Sequence, residues 1–192
     1  MPTLTEIVRA VFGSAVLGSH NSCGDETVLV DRDHLQAVAS FLRDDPRASI
    51  DVLVDVTAVD FADFPAQLRQ SCSPIDAGHA SGLRAETLPR YEVVYHLLSM
   101  ALKHRLRVKV PLSEDDLQLP TLCDLWIAAN WGEREVYDMY GVHFTGHPDL
   151  RRVLMYDEFE GHPLRKDYPL RGYQPLAALP TLADYTDHEV YR

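Results

Sequence analysis

Residues 91–111 read YEVVYHLLSMALKHRLRVKVP, a segment that predicts a β-hairpin. Its first half, Tyr91 to Met100, is rich in β-branched and aromatic residues, which favour strands. Its second half, Arg105 to Pro111, alternates basic and apolar residues, as a strand with one buried face does. The turn is expected around Lys103 and His104. The two halves are therefore predicted to pair as neighbours in one sheet.

Further strands and helices are predicted outward from this hairpin. The β-branched stretch Ile50 to Phe61 and the shorter stretch Glu26 to Val30 both favour strands. Apolar residues at helical spacing predict helices over Leu4–Leu17 and Arg32–Asp44, a short helix after Thr121, and a longer helix over about Asn130–Tyr140 that ends at Gly141. We therefore predict an α+β fold, a mixed β-sheet flanked by helices, with residues 1–140 as the globular domain.

Two segments show no sustained period. Residues 63–90 carry scattered Pro and Gly, which predicts a surface insertion between two strands. Residues 141–192 combine Pro and Gly with many aromatic and charged residues. Such a segment has too few regular elements to build its own core and is too apolar for plain disorder. We predict an extended C-terminal interaction arm that lies on another protein.

Composition excludes several classes of function. The chain has 192 residues and a formal net charge of −11, which argues against nucleic-acid binding. Cys23, Cys72 and Cys123 are far apart and odd in number, so neither a disulfide framework nor a cysteine-rich metal site is expected. No apolar run has the length needed to cross a bilayer, and no signal peptide is recognised.

The chemistry motifs are equally restrictive. The sequence lacks the glycine-rich patterns that cradle NAD, FAD or ATP, and it lacks the G-x-S-x-G pattern of a nucleophilic serine. His143, His147 and His162 lie near acidic residues, but Gly146 and Pro148 beside His147 prevent a helix that would place His143 and His147 on one face. A freestanding metal hydrolase that uses His143, His147, Asp149 and Glu158 remains the competing hypothesis.

One continuous block carries more specific information. It reads EREVYDMYGVHFTGHPDLRRVLM over residues 133–155, and GHPLRKDYPL follows over residues 161–170. This block resembles the signature of the thirty-kilodalton C subunit of the proton-translocating NADH:quinone oxidoreductase, respiratory complex I. The resemblance spans most of residues 50–174 and includes the strand LVDVTAVD. The sequence departs from the family pattern in its longer 63–90 insertion and in Glu158-Phe159, where an Asp-Trp pair is common.

The resemblance implies a non-catalytic structural and assembly subunit that binds no cofactor itself. The whole complex uses NADH, FMN, iron–sulfur clusters and quinone to couple electron transfer to proton pumping. The implied partners are subunits D, B and I of the hydrophilic arm, of which the first forms the quinone site and the other two hold iron–sulfur clusters. The implied location is peripheral, on the cytoplasmic side of the bacterial inner membrane. The equivalent subunit of a related ferredoxin- or hydrogenase-linked membrane complex remains the alternative.

The resemblance also indicates which residues form the family's signature and its interfaces. Arg165, Lys166 and Asp167 are expected to make interfacial ion pairs, and Tyr168, Trp131 and Phe144 are expected to anchor partners. The full predicted set comprises Trp131, Glu133, Arg134, Glu135, Asp138, Phe144, His147, Pro148, Arg151, Arg152, His162, Pro163, Arg165, Lys166, Asp167, Tyr168 and Pro169. No catalytic, cofactor-binding or metal-binding residue is expected.

Overall fold

The computed structural model describes residues 3–75, 88–171 and 174 of the chain. Five strands form one sheet in the order β1-β2-β5-β4-β3. Their bounds are Val16–Ser22 (β1), Asp25–Val30 (β2), Val52–Asp60 (β3), Tyr91–Ser99 (β4) and His104–Leu112 (β5). The β2 and β5 strands run parallel and the other neighbours run antiparallel, so the sheet is mixed, as predicted.

The β4–β5 hairpin lies inside the sheet and carries much of the core. Tyr91 lies opposite Leu112, and Ser99 lies opposite His104. Because side chains alternate along a strand, Tyr95 and Val108 point into the core, whereas Lys109 points to the opposite face. The hairpin predicted from residues 91–111 is confirmed.

Four helices accompany the sheet in the described residues, at Leu4–Phe12 (α1), Leu35–Asp44 (α2), Ala66–Cys72 (α3) and Ala129–Tyr140 (α4). Apolar residues of α1, α2 and α4 join those of the strands in one hydrophobic cluster. The α4 helix lies very close to β3. If Gly132 carried a Cβ atom, that atom would lie only 2.9 Å from Cβ of Val56. The α+β class with flanking helices is therefore confirmed.

The predicted first helix is too long. The α1 helix begins with a capping box between Thr3 and Glu6 but ends at Phe12, not at Leu17. A 3₁₀ turn follows, and Val16 and Leu17 then belong to the edge strand β1. The helical spacing of apolar residues continues only to Ala15, and Val16 and Leu17 are buried as part of the sheet instead.

The 63–90 insertion starts with helix α3 and then crosses the face of the sheet opposite the main core. Ser73 donates a hydrogen bond of 2.8 Å to the buried Glu92, and Lys109 donates one of 2.6 Å to the carbonyl of Cys72. Residues 76–87 lie outside the described residues. The start of the insertion is therefore packed on the sheet.

The chain remains packed beyond the end of α4. Gly141 ends the helix in a left-handed conformation with φ of 78°. A second, two-stranded sheet pairs Gln118–Pro120 (β6) with His143–Thr145 (β7) in parallel. Val142 and Phe144 are buried in the main hydrophobic cluster. The predicted arm thus begins with residues of the core, and its last part, residues 175–192, lies outside the described residues.

Among the residues that the structure describes, no helix is both long and apolar enough to cross a lipid bilayer.

Candidate functional site

The α4 helix places two acidic side chains in the interior of the protein. Glu133 is 0% exposed and accepts hydrogen bonds from the hydroxyl of Thr121 (2.6 Å) and the backbone N–H of Leu122 (2.8 Å). The thiol of Cys123 lies 3.6 Å from the same carboxylate. Glu133 therefore fixes the turn of residues 121–126 against the helix. Its side chain faces inward and not toward solvent.

Burial shifts the titration of this cluster. Desolvation raises the pKa of Glu133 despite the hydrogen bonds that Thr121, Leu122 and Cys123 donate to it. Desolvation also raises the pKa of the Cys123 thiol to about 11. The acid and the thiol are both stabilised in their protonated forms.

Cys123, Glu133 and His147 are the three described residues that come closest to a metal-binding arrangement, with ligand atoms within 4.8 Å of one another. Both ring nitrogens of His147 are engaged with the backbone, however. Its Nδ1 accepts from the N–H of Asp149, so its Nε2 carries the proton that it donates to the carbonyl of Asn130, at 3.1 Å. A hydrogen-bonded cluster explains these contacts better than a zinc site, which needs free nitrogen and deprotonated sulfur.

Asp138, on the next turn of α4, holds the chain that follows. Its buried carboxylate accepts the backbone N–H groups of three successive residues, Val153, Leu154 and Met155, at 2.8 to 3.0 Å. The guanidinium of Arg152 adds an ion pair of 2.6 Å. Burial alone would raise the pKa of Asp138, but these donors outweigh it and hold that pKa below its ordinary value.

Asp60, at the end of β3, forms a second attachment. Arg90 pairs with it through two hydrogen bonds of 2.7 and 2.8 Å, and the backbone N–H of Lys166 donates to it at 2.8 Å. Arg90 also pairs with Asp167 at 3.0 Å. Burial alone would raise the pKa of Asp60, but Arg90 and the two backbone donors, of Lys166 and Ala62, lower it overall.

The C-terminal end of α4 is covered by two further side chains. His162 makes a hydrogen bond of 3.0 Å to the carbonyl of Asp138, and Arg165 donates one of 2.6 Å to the carbonyl of Tyr140. These carbonyls have no partner within the helix itself, since they lie in its last turn. Gly141 allows the close approach, because a Cβ there would lie 2.6 Å from the His162 ring.

Aromatic rings also pack against one another in the part of the chain that follows β7. Phe159 stacks on Tyr168 at a centroid distance of 6.0 Å and meets Tyr156 edge-on at 5.6 Å. The guanidinium of Arg152 lies over the Phe159 ring at 5.6 Å. The Glu158-Phe159 pair, the departure noted in the sequence, thus places an aromatic ring at the centre of this packing.

Other side chains of the same region are left exposed. Trp131 on α4 is 57% exposed and lies against the guanidinium of Arg134, while Leu154 and Leu164 are 51% and 50% exposed. Arg134 also donates to the backbone carbonyl of Arg151 at 3.1 Å, which joins α4 to the segment. Exposed apolar side chains beside arginines are typical of protein interfaces.

Comparison with known proteins agrees with this arrangement. The family model described as "Respiratory-chain NADH dehydrogenase, 30 Kd subunit" matches residues 28–174. The chain belongs to this family. It is 42% identical over 166 residues to the C subunit of the NADH-quinone oxidoreductase of Xanthobacter autotrophicus, covering 86% of this chain and 68% of that protein. It is 43% identical over 169 residues to the protein of the same name from Roseiflexus castenholzii, covering 88% and 84%.

Solved structures are similar as well. A trypsin-resistant fragment of Nqo5 superposes with a TM-score of 0.57 at 29% identity, over 76% of this chain and 95% of the fragment. A chain of an archaeal respiratory membrane complex, the membrane-bound sulfane sulfur reductase, superposes with a TM-score of 0.60 at 23% identity, over 86% and 85%. The second likeness shows a shared fold alone.

Most of the predicted signature residues contact other parts of this chain in the structure. The side chains that do so are those of Glu133, Arg134, Asp138, Phe144, His147, Arg151, Arg152, His162, Arg165, Asp167 and Tyr168. Phe144 is 1% exposed and belongs to the core, which leaves it no surface for a partner. Trp131, Glu135, Pro148, Arg151, Lys166 and Pro169 are exposed, whereas Arg134 and Pro163 are half-buried.

Sequence reasoning gave no role to Asp60 or Arg90, and it gave Thr121 only the start of a short helix. Asp60 and Lys166 are 106 residues apart, and no local pattern connects them. One signal was present for Asp60, because it ends the strand that carried part of the family resemblance. A charged residue at the buried end of a strand needs a partner, which is a reason to search for one.

Proposed function

We propose that this chain is a structural and assembly subunit of the peripheral arm of a proton-translocating NADH:quinone oxidoreductase. The observation that carries the proposal is the continuous family match over residues 28–174, together with more than 40% identity to two proteins named as the C subunit of such an enzyme. Catalysis then belongs to the whole complex, which transfers electrons from NADH to quinone.

In this proposal the chain itself holds no flavin, iron–sulfur cluster, quinone or metal. The sequence offers no phosphate-binding loop, and its three cysteines are separated by about fifty residues each. Its contribution is shape and charge: a packed domain that presents one surface of α4 and of the following segment to neighbouring subunits.

The partners that we propose are subunits D, B and I of the same complex, on the cytoplasmic side of a bacterial inner membrane. Support comes from the exposed members of the signature, above all Trp131, Arg151 and Lys166. Arginine and tryptophan are enriched among residues that dominate binding at interfaces. Charge reversal at Arg151 or Lys166 therefore tests the surface and the function together.

The experiment uses a strain whose own copy of the gene is replaced by a tagged copy. Detergent-solubilised membranes should yield the tagged chain in a high-mass assembly with NADH:quinone reductase activity. Arg151→Glu and Lys166→Glu should each lower the yield of that assembly, because each places a negative charge at the proposed contact. Lys103→Glu, in the exposed β4–β5 turn, is the matched control and should assemble normally.

Recovery of the wild-type chain only as a free species in respiring cells would contradict the proposal. So would quinone reductase activity that does not change when the gene is deleted. Calorimetric titration of the purified chain with NADH should show no binding in the micromolar range, and a visible absorbance band at stoichiometric yield would overturn the absence of a cofactor.

A further inference from the structure

Residues 151–168, which we call the C-terminal segment, are fastened to the rest of the chain at several points. We infer that this segment is docked on the globular domain in the free chain, and that Asp138 and Asp60 are positioning residues that give it its shape before a partner subunit binds. The inference rests on the proposed function, since it says how the interface of that subunit is prepared.

The first attachment is the set of hydrogen bonds that the Asp138 carboxylate accepts. In the described part of the chain, the donors to its carboxylate are the Arg152 guanidinium and the N–H groups of Val153, Leu154 and Met155. All of them belong to the C-terminal segment. Because hydrogen bonds to an ionised carboxylate are roughly twice as strong as neutral ones, this contact strongly favours the docked state.

A second, independent attachment lies at the other end of the segment. Lys166 donates its N–H to Asp60, Arg165 donates to the carbonyl of Tyr140, and the N–H of Leu164 donates at 3.2 Å to the carbonyl of Met139. None of these contacts uses Asp138. The segment is therefore fastened at both ends, to β3 and to α4.

The loop between these two ends is held by its own contacts. Arg152 donates through Nη2 to the carbonyl of Gly161 at 3.0 Å, and Phe159 stacks on Tyr168. These contacts lie within the segment and hold its fold. The partner-independent contacts thus reach from residue 152 to residue 168.

Docking of the segment sets the positions of side chains that a partner subunit would contact. Leu154 and Leu164 remain half exposed although the backbone at both positions is hydrogen-bonded to the domain. A partner protein with an apolar surface would bind side chains whose positions are already set. Preorganisation of this kind lowers the entropy cost of association. The sequence predicts an arm that lies on another protein, whereas this segment first docks on its own domain.

The test is amide hydrogen exchange of the isolated 192-residue chain, read residue by residue by NMR. The amides of Val153, Leu154, Met155 and Lys166 should exchange about 100-fold or more slowly than in an unfolded chain, because each donates to a buried carboxylate. Exchange at unfolded rates at these four positions in the wild-type chain would overturn the inference. This readout needs no variant and no complex.

Asp138→Asn then tests the positioning role. It should accelerate exchange at Val153, Leu154 and Met155 by about 10-fold or more, while the amides of β4 stay protected. Asp157→Asn, an exposed change within the segment, is the matched control and should leave exchange unchanged. Should Asp138→Asn fail to fold, Arg152→Gln removes one donor and keeps the three backbone contacts, so a smaller acceleration is expected.

The last experiment tests whether assembly needs the segment to be positioned in advance. Asp138→Asn in the tagged strain should lower the yield of the high-mass assembly at least as much as Arg151→Glu does. Normal assembly of a variant whose segment has lost protection would show that the partner does not need the preformed shape, and the inference would be wrong. Failure of the wild-type chain to enter any complex contradicts the proposed function instead, whatever the exchange data show.

Discussion

Two buried carboxylates on one helix have opposite electrostatic environments. Glu133 accepts from a hydroxyl, a thiol and one backbone N–H, and its pKa is raised because desolvation dominates. Asp138 accepts from a guanidinium and three backbone N–H groups, and its pKa is lowered because these donors outweigh desolvation. Neither side chain is exposed, but Glu133 lies deeper in the protein, and Asp138 has more donors, one of which carries a full positive charge; depth and donors together produce the difference in pKa.

Replacing Glu133 by Ala should lower the free energy of unfolding by about 2 kcal/mol or more. The change leaves the N–H of Leu122 and the hydroxyl of Thr121 without their acceptor and creates a cavity. Urea unfolding followed by tryptophan fluorescence measures the loss. Glu135→Ala, on the exposed face of the same helix, should change stability by less than about 0.5 kcal/mol; equal effects of the two changes would contradict the role given to Glu133.

Gly141→Ala should cost more than left-handed strain alone. Gly24 and Gly141 have φ of 89° and 78°, but only Gly141 of these two has neighbours where a Cβ would lie. Those neighbours, His162 and Arg165, are held by hydrogen bonds to the helix end and cannot move without losing them. Thermal unfolding should show a loss of about 1 kcal/mol for Gly24→Ala, and a clearly larger loss for Gly141→Ala. Similar losses would mean that His162 and Arg165 can move aside at little cost in free energy.

At the scale of elements, the sequence predicted what depends on local pattern. β-branched and aromatic content located β4, alternation located β5, and apolar spacing with a glycine stop located α4. It failed at β1, since the apolar spacing of the preceding helix continues to Ala15 and only pairing with β2 shows that a strand begins at Val16. It also missed the β6–β7 pair, because three-residue strands are too short to show a period.

The candidate site was predictable in composition but not in its contacts. The resemblance pointed to Asp138, Arg152 and Arg165 but did not indicate what they contact. Their partners are backbone groups, such as the N–H of Leu154 and the carbonyl of Tyr140, which every residue carries and no sequence pattern marks. The interfacial use predicted for Asp167 must also account for Arg90, its partner within the chain.

The crossing of α4 over β3 depends on one small residue. Ala is a better helix former than Gly by about 1 kcal/mol, so an exposed Gly132→Ala change would be stabilising. Here the added Cβ would lie 2.9 Å from Cβ of Val56, an atom fixed in the sheet. We expect a net loss of about 1 kcal/mol or more in urea unfolding, because overpacking outweighs propensity. A gain in stability would show that the helix can shift away from β3.

At the scale of the whole molecule, the two aspartates connect segments that are distant in the chain. Asp60 joins the end of β3 to residues 90 and 166, and Asp138 joins α4 to residues 152–155. Both carboxylates must be ionised to hold their guanidinium partners. The docking of the C-terminal segment is therefore coupled to the protonation state of the same groups that complete the domain.

The free energy of unfolding should therefore fall in acid. The direction in which each group's contribution changes with pH shows which group is responsible. The pKa values of Asp60 and Asp138 are lowered in the folded state, so they stabilise it above the ordinary aspartate value of 3.8. That contribution is lost as the pH falls through their folded pKa values. Glu133 acts in the opposite direction: its raised pKa favours the fold below 4.5, and that contribution is lost as the pH rises through the folded value.

The check is urea unfolding of the wild-type chain and Asp138→Asn from about pH 6 down to about pH 2. The variant should be less stable at the upper end of this range, and the difference should shrink toward the lower end because the wild-type carboxylate is then protonated as well. Asp157→Asn should follow the wild-type curve throughout, since it changes an exposed carboxylate of the same segment. A difference between Asp138→Asn and wild type that stays constant over this range would mean that Asp138 stabilises the fold through shape and not through charge.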